Sequence, residues 1–191
     1  YAFLIPLLPL VVFPVLILSG YRYKERAHYL TIGALAVSAL ISLGVFWEVS
    51  RGASLSSSIP WLPFGLEGFR LAIRVDPLAA LMCVVVTVIA TLIQIYSIGY
   101  MHADPRYHRF YAYMALFSAA MLGLVLADNW LLLYACWELV GLGSYLLIGF
   151  WFEKPEASKA AKKAFITTRI GDVGLALGIL ILFAVTGSVD M

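Results

Sequence analysis

Apolar residues fall along this chain in six long blocks, separated by shorter stretches rich in charge, Gly and Pro. Each block holds about 20 residues, the length that an α-helix needs to cross roughly 30 Å of hydrocarbon at about 1.5 Å per residue. The predicted spans are Ala2–Leu18, Tyr29–Trp47, Leu78–Tyr100, Tyr111–Ala127, Trp130–Phe152 and Ala164–Thr186. The pattern therefore predicts an all-α polytopic membrane protein with about six transmembrane helices.

Local signals mark several of the predicted helix ends. Polar N-cap residues or an early proline occur at Asp76-Pro77, Asp128-Asn129 and Lys154-Pro155, where a side-chain acceptor or a missing donor suits the first turn of a helix. The first block contains three prolines, so its freed carbonyl groups need partners from neighbouring helices.

Residues 50–76 differ from the rest of the chain, because they are rich in Gly, Ser, Pro and charge. The alternation of apolar with other residues over Phe69–Val75 predicts a β-strand, and Gly65–Gly68 suits a hairpin turn before it. The sequence thus divides into two transmembrane helices (residues 1–49), a hairpin segment (50–76) and a second helical region (77–191).

Composition supports the membrane assignment and excludes several other classes. The chain is 63% apolar and 13% charged, against roughly 25% charged residues in soluble domains. Its net charge of +2 and the lack of a basic, aromatic-rich run indicate no nucleic-acid partner. Cys83 and Cys136 stand alone in apolar blocks, which predicts buried thiols rather than a disulfide or metal site. We assign no metal and expect the lipid bilayer as a partner.

Lysine and arginine are concentrated in alternate connections between the spans. One set of connections holds Arg22, Lys24, Arg26, Arg106, Arg109, Lys154, Lys159, Lys162 and Lys163, whereas the other holds Arg51, Arg70 and Arg74. Because basic connections stay in the cytoplasm, we expect the N-terminus and the hairpin on the outside.

Two acidic residues lie well inside the predicted spans, Glu138 in the fifth and Asp172 in the sixth. A carboxylate at that depth costs about 2.5 kcal/mol or more, so each needs a compensating partner. Desolvation favours the neutral form of Glu138 and a nearby Lys or Arg favours the charged form, which together suit a proton relay. Tyr134, Gly141 and Tyr145 share its helical face. The alternative interpretation is a permanently protonated Glu138 that bonds a neighbouring helix.

Arg169 lies three residues before Asp172, and Thr168 lies four before it, so all three can meet on one helical face. Two interpretations stay open: a satisfied internal ion pair, or a switch that moves with the charge state of Glu138. On this spacing alone, neutralising Asp172 would leave a buried Arg169 cation unpaired.

Several longer runs carry a family resemblance. They are Tyr96-Ser-Ile-Gly-Tyr-Met-His-Ala-Asp-Pro, Arg109-Phe-Tyr-Ala-Tyr, Leu126-Ala-Asp-Asn, Trp137-Glu-Leu-Val-Gly-Leu-Gly-Ser-Tyr-Leu-Leu-Ile-Gly-Phe and Lys163-Ala-Phe-Ile-Thr-Thr-Arg-Ile-Gly-Asp. They resemble the L subunit (subunit 5, or F) of proton-pumping NADH:quinone oxidoreductase, complex I. The likeness covers nearly the whole chain and is strongest over Asp76–Phe183.

The resemblance implies a function and roles for the acidic residues. Glu138 matches the essential glutamate of the fifth helix, whose partner in the family is a lysine on a seventh helix, and Arg169 and Asp172 match a conserved base and acid. It implies a proton-translocating membrane subunit that works with other membrane subunits of a respiratory complex in the bacterial inner membrane. NADH and quinone would bind elsewhere, with no cofactor in this chain.

The resemblance also implies an outward hairpin and an outside N-terminus, and it makes the sequence an N-terminal fragment of an antiporter-like subunit. Two alternatives stay open. One is the large subunit of a multisubunit sodium/proton antiporter, which shares this architecture, and the other is a non-conducting membrane scaffold.

Overall fold

The computed structural model describes residues 1–20, 22, 26–52, 55–60, 70–189 and 191. Within these residues six helices and one antiparallel hairpin follow each other along the chain. They are α1 (Leu4–Ser19), α2 (Ala27–Ser50), β1 (Leu55–Pro60), β2 (Arg70–Val75), α3 (Pro77–Tyr100), α4 (Tyr107–Leu126), α5 (Trp130–Ile148) and α6 (Pro155–Thr186). Each helix occupies one of the six predicted spans, so the predicted fold class is confirmed.

Helix length separates α1 and α6 from the other four helices. Helices α2 to α6 are long and apolar enough to cross a membrane, whereas α1 is a shorter apolar helix of 16 residues, or about 24 Å. Helix α6 has 32 residues, or about 48 Å. It begins at Pro155, as the Lys154-Pro155 signal predicts, and it extends beyond the predicted apolar span Ala164–Thr186 because the charged, Ala-rich stretch after the proline is itself helical.

The hairpin pairs β1 with β2 in an antiparallel register that joins Leu55 to Val75 and Ser57 to Ile73. The predicted strand over Phe69–Val75 is confirmed from Arg70 onward. Strand β1 was not predicted, since its three successive serines lack an alternating apolar pattern. The predicted turn at Gly65–Gly68 lies outside the described residues.

The hairpin defines one end of the helix bundle, which we call the hairpin end. Here the backbone N–H of Asp128 donates to the carbonyl of Ala72 at 3.0 Å, and Arg74 forms a 3.2 Å ion pair with Asp128. The opposite end, which we call the loop end, carries residues 101–106 and 149–154 between helices. Successive helices therefore run antiparallel between the two ends.

Helix α4 lies at the centre and packs against α1, α2, α3 and α5, while α6 packs mainly against α5. Small residues bring α4 and α5 close together. A Cβ on Gly143 would lie 3.2 Å from Phe117 Cβ, and one on Gly123 would lie 2.9 Å from Cys136 Sγ. Cys83 and Cys136 are both free and buried, which confirms the prediction of buried thiols.

Candidate functional site

The register between α5 and α6 is set by a close contact at the loop end, where a Cβ on Gly149 would lie 3.1 Å from Ala161 Cβ. From this contact Glu138 lies about eleven residues back along α5, and Asp172 lies about eleven residues forward along α6. Each distance corresponds to roughly 16 Å of helix. The two antiparallel helices therefore hold both carboxyl groups at the same level of the bundle.

Arg169 joins the two carboxyl groups. Its Nη1 forms an ion pair with Glu138 Oε2, and the same nitrogen lies 3.8 Å from Asp172 Oδ2. Nη2 also approaches the backbone carbonyl of Glu138 at 3.5 Å. The predicted contact between Arg169 and Asp172 is thus present, and the cation is shared with Glu138 across the α5–α6 interface.

This sharing changes one expectation from the sequence. Neutralising Asp172 does not leave Arg169 without a carboxylate, because Glu138 remains in contact with it. One cation faces two carboxylates, so the cluster carries one excess negative charge when all three groups are ionised. A proton taken up by either carboxyl group removes that excess and leaves Arg169 with the other.

Burial differs among the three side chains. Asp172 is 8% exposed, Glu138 is 21% exposed and Arg169 is 32% exposed. Arg169 also lies over the ring of Phe165, with its Cζ 4.4 Å from the ring centroid, which holds the guanidinium by a cation–π contact. Asp172 is thus the most buried of the three charged groups, whereas the side chains of Glu138 and Arg169 are partly exposed.

Trp137 is a site residue that sequence reasoning missed. Its indole Nε1 donates a 2.8 Å hydrogen bond to Asp172 Oδ1, so Asp172 is held from both α5 and α6. A tryptophan inside a predicted span was the available signal, since an indole N–H that is shielded from water needs an acceptor. In the sequence, Trp137 begins the Trp137-Glu-Leu-Val-Gly run that carries the family resemblance.

A cleft of about 860 Å³ opens between α5 and α6 beside these groups. Its lining is mostly apolar, with polar groups from Asp172, Ser144, Thr167 and Thr168. It is large enough for several water molecules, which take about 30 Å³ each in the liquid. Water in the cleft would lie next to the most enclosed carboxyl group of the cluster.

The other predicted neighbours of Glu138 and Asp172 do not hydrogen-bond to these two carboxyl groups in the described part of the chain. The Thr168 hydroxyl donates to the Phe165 carbonyl at 2.9 Å on its own helix, so its bond is not to Asp172. Gly141 faces the cluster, because a Cβ there would lie 3.8 Å from Arg169 Nη2. The ring of Tyr145 lies against Phe165 instead. Among the described residues neither Tyr134 nor Tyr145 hydrogen-bonds to Glu138.

Metal ligands are sparse in the part of the chain that the structure describes. No group of three or more His, Cys, Asp or Glu side chains there could hold a metal ion. His28 lies at the loop end, where its Nδ1 is 3.0 Å from the Tyr107 hydroxyl.

Two family models match successive parts of the chain. The model for the N-terminus of chain 5 of NADH-ubiquinone oxidoreductase (complex I) matches residues 61–111. The model for the transmembrane region of NADH:quinone oxidoreductase/Mrp antiporter matches residues 127–191, which include the whole Glu138–Arg169–Asp172 cluster.

Curated relatives and a solved structure agree with these matches. The chain is 45% identical to NAD(P)H-quinone oxidoreductase subunit 5 of Zygnema circumcarinatum, over 100% of this chain and 28% of the relative. It is 46% identical to F(420)H(2) dehydrogenase subunit L of Methanosarcina mazei, over 95% of this chain and 27% of the relative. The solved Mrp complex from Dietzia sp. superposes with a TM-score of 0.83 at 25% identity, covering 99% of this chain and 20% of that one.

The chain thus spans less than a third of the length of these relatives, which are named as subunits of larger enzymes. The two family models, the relatives and the fold lead to one assignment. The chain belongs to the chain 5, or subunit L, family of antiporter-like membrane subunits, which NADH:quinone oxidoreductases share with Mrp antiporters.

Proposed function

We propose that this chain is part of a proton-translocating membrane subunit of an NADH:quinone oxidoreductase. The observation that carries the proposal is the cluster in which Arg169 is shared between Glu138 and Asp172, deep between two membrane-spanning helices. Charged groups at such depth are costly, and they occur in membrane proteins mainly along ion or proton pathways. The relatives named as quinone oxidoreductase subunits favour this activity.

In this proposal Glu138 is the group that carries the proton. When Glu138 is ionised, it holds Arg169; when it takes up a proton, Arg169 is held by Asp172 alone, whose position is fixed by Trp137. A shift of one cation between two carboxylates couples proton uptake to a rearrangement of charge. Over one cycle, Glu138 takes up one proton and releases one proton.

The partners and location follow from the same assignment. We propose that the subunit works with other membrane subunits in the bacterial inner membrane, with NADH and quinone bound by the assembled complex and no redox cofactor in this chain. The sequence has no Gly-rich phosphate loop after a strand and no cysteine cluster, which supports this division.

We also propose that the hairpin end faces outward and the loop end faces the cytoplasm. Most Lys and Arg residues lie at or near the loop end, including Arg106, Arg109 and Lys154, as basic connections do on the cytoplasmic side. Single cysteines at Ser56 and at Lys159 in the complete subunit should react with an impermeant thiol reagent from opposite sides of the membrane. Labelling of the Ser56 position from the cytoplasmic side would reverse the proposed orientation.

The proposed role of Glu138 is tested in the complete complex with Glu138→Gln and Glu138→Asp. The amide keeps size and hydrogen bonding but cannot release a proton, so proton pumping per electron should fall sharply in Glu138→Gln while assembly persists. Glu138→Asp should keep partial activity. Glu156→Gln, at an exposed acid in the first turn of α6, is the matched control and should pump normally. An assembled Glu138→Gln complex that pumps at the wild-type ratio would contradict the role.

A multisubunit sodium/proton antiporter is the second candidate, because the Mrp complex shares the fold of this chain and one family model covers both kinds of protein. The two functions differ in the energy source for proton movement, which is electron transfer in an oxidoreductase and a sodium gradient in an antiporter. Vesicles that hold the complete complex should pump protons when electrons are supplied if the first proposal holds. Proton movement that follows an imposed sodium gradient without an electron donor would instead favour the antiporter.

A further inference from the structure

Helices α5 and α6 meet in successive layers between the loop end and the charged cluster. The layer nearest the loop end is the close contact of Gly149 with Ala161. Four residues from that contact on each helix, the rings of Tyr145 and Phe165 meet with their centroids 5.1 Å apart. Because four residues of an α-helix rise about 6 Å, this pair of rings, which we call the aromatic layer, lies about one turn deeper in the bundle.

The charged cluster forms the next layer. Gly141 and Arg169 are again four residues from Tyr145 and Phe165, and a Cβ on Gly141 would lie 3.8 Å from Arg169 Nη2. The guanidinium of Arg169 lies 4.4 Å from the ring centroid of Phe165 and pairs with Glu138. Along the helix axes, the aromatic layer therefore lies between the loop end and the ion pair of Glu138.

Two clefts reach the aromatic layer from its two sides. The cleft of about 860 Å³ beside the cluster includes Val140 and Ser144 in its lining. A second cleft, of about 190 Å³ at the loop end, is lined by Tyr145 together with polar groups such as Arg109 and Ser158. In the described part of the chain the two linings share no residue. Each cleft is large enough for several water molecules at about 30 Å³ each, so water can approach the aromatic layer from either side.

The aromatic layer has the properties of a barrier to protons. Protons cross a protein along water and polar side chains, and an apolar constriction stops them by excluding water. The ring of Phe165 has no polar atom, and both rings are partly buried at their contact. A ring can leave this contact by a change of side-chain rotamer, without a movement of the helix backbone. The barrier can therefore open while α5 and α6 keep their register.

We propose that the aromatic layer of Tyr145 and Phe165 is a gate on the route by which protons reach Glu138 from the loop end. This inference rests on the proposed role of Glu138 in proton transfer. The gate is closed in this structure, since the two rings are in contact. Its opening brings water from the loop-end cleft to the Arg169 guanidinium and its ion pair. The rings act by excluding water, so the hydroxyl group of Tyr145 is not required.

The gate is tested in the complete complex by the rate at which single cysteines react with a membrane-impermeant, cationic methanethiosulfonate. Val140→Cys places a thiol in the cleft beside the cluster, and Ser158→Cys places one in the loop-end cleft. With the reagent on the side that the loop end faces, the cysteine at position 158 should react quickly and the cysteine at position 140 slowly. No electron donor is added, so the rates do not depend on pumping.

Loss of either ring should open the route. Phe165→Ala should accelerate the reaction of Val140→Cys by about tenfold, the factor that corresponds to the loss of one aromatic contact. Tyr145→Ala should do the same, whereas Tyr145→Phe keeps the ring and should leave the reaction slow. Phe183→Ala is the matched control, because it removes the same ring from α6 at a point about 27 Å further along the helix, and it should have no effect.

Several results would overturn the proposal. Rapid reaction of Val140→Cys from the loop-end side with both rings present would mean that no barrier exists, and an unchanged rate in Phe165→Ala would mean that the ring is not part of one. Equal acceleration from both sides of the membrane would indicate a loosened helix interface instead of a gate. Normal pumping by Glu138→Gln contradicts the proposed function but leaves these reaction rates as they are, so the two failures are distinguishable.

Discussion

Arg169→Gln should be the most destabilising single change in the Glu138–Arg169–Asp172 cluster. The substitution removes the only cation in the cluster and leaves two carboxylates facing each other across the α5–α6 interface. In contrast, Glu138→Gln and Asp172→Asn each leave one ion pair intact. The structure therefore predicts an order of damage that the residue spacing along α6 could not give.

The magnitude follows from distance and burial. Two unit charges about 4 Å apart, close to the 3.8 Å between Arg169 and Asp172, interact by about 4 kcal/mol at an effective dielectric constant of 20. Breaking a buried pair costs about 3 to 5 kcal/mol, and the 32% exposure of Arg169 reduces that figure. We expect about 2 to 4 kcal/mol for Arg169→Gln and about 1 kcal/mol for Asp172→Asn.

The measurement is SDS-induced unfolding of the complete subunit in bicelles, arranged as a double-mutant cycle over Arg169 and Asp172. Removing both charges should cost less than the sum of the two single substitutions, by about 1 to 2 kcal/mol. Arg109→Gln, at an exposed arginine, serves as the control and should stay within about 0.5 kcal/mol. Additive losses, or a larger loss in Asp172→Asn than in Arg169→Gln, would refute the shared-cation geometry.

Two further predictions concern residues that hold the helices in place. Trp137→Phe removes the 2.8 Å bond to Asp172 and should cost about 1 to 2 kcal/mol in the same unfolding assay, whereas Trp47→Phe at an exposed tryptophan should have little effect. The hydrogen bond from Arg106 lowers the pKa of Glu153 below its ordinary value of 4.5, so this pair stabilises the fold above that pH and loses its effect as the pH falls through the lower folded-state pKa. The difference in thermal midpoint between the wild-type protein and Glu153→Gln should thus shrink when the pH is lowered from about 7 to about 3, and a constant difference would contradict the pairing.

The six helices and the starts of α3, α5 and α6 could be predicted from the sequence, because each depends on interactions between near neighbours in the chain. Apolar length decides whether a helix can cross a bilayer. The N-caps are equally local: Asp76 accepts from the Ala79 N–H at 2.6 Å, and Asn129 accepts from the Leu132 N–H at 2.7 Å. The burial of Cys83 and Cys136 followed from the same apolar blocks.

Strand β1 could not be predicted from the local pattern of apolar and polar residues. Its three consecutive serines give no alternation, and the segment is a strand because β2 supplies its hydrogen-bond partners. The other edge of β2 meets the loop after α4, through the bridge between Ile73 and Ala127. The sequence of β1 alone therefore indicates neither its pairing with β2 nor the bridge from β2 to Ala127.

The sequence determined one part of the Glu138–Arg169–Asp172 cluster, and the tertiary structure determined the other. The sequence by itself determined which residues are the costly intramembrane charges, and the three-residue spacing placed Arg169 beside Asp172 on one helix. Only the tertiary structure decided that Arg169 also holds Glu138, because that contact depends on the register of two helices, which the close approach of Gly149 to Ala161 sets. A shift of one residue rotates a helical side chain by about 100°, so charge partners on different helices are fixed by packing and not by spacing along the chain.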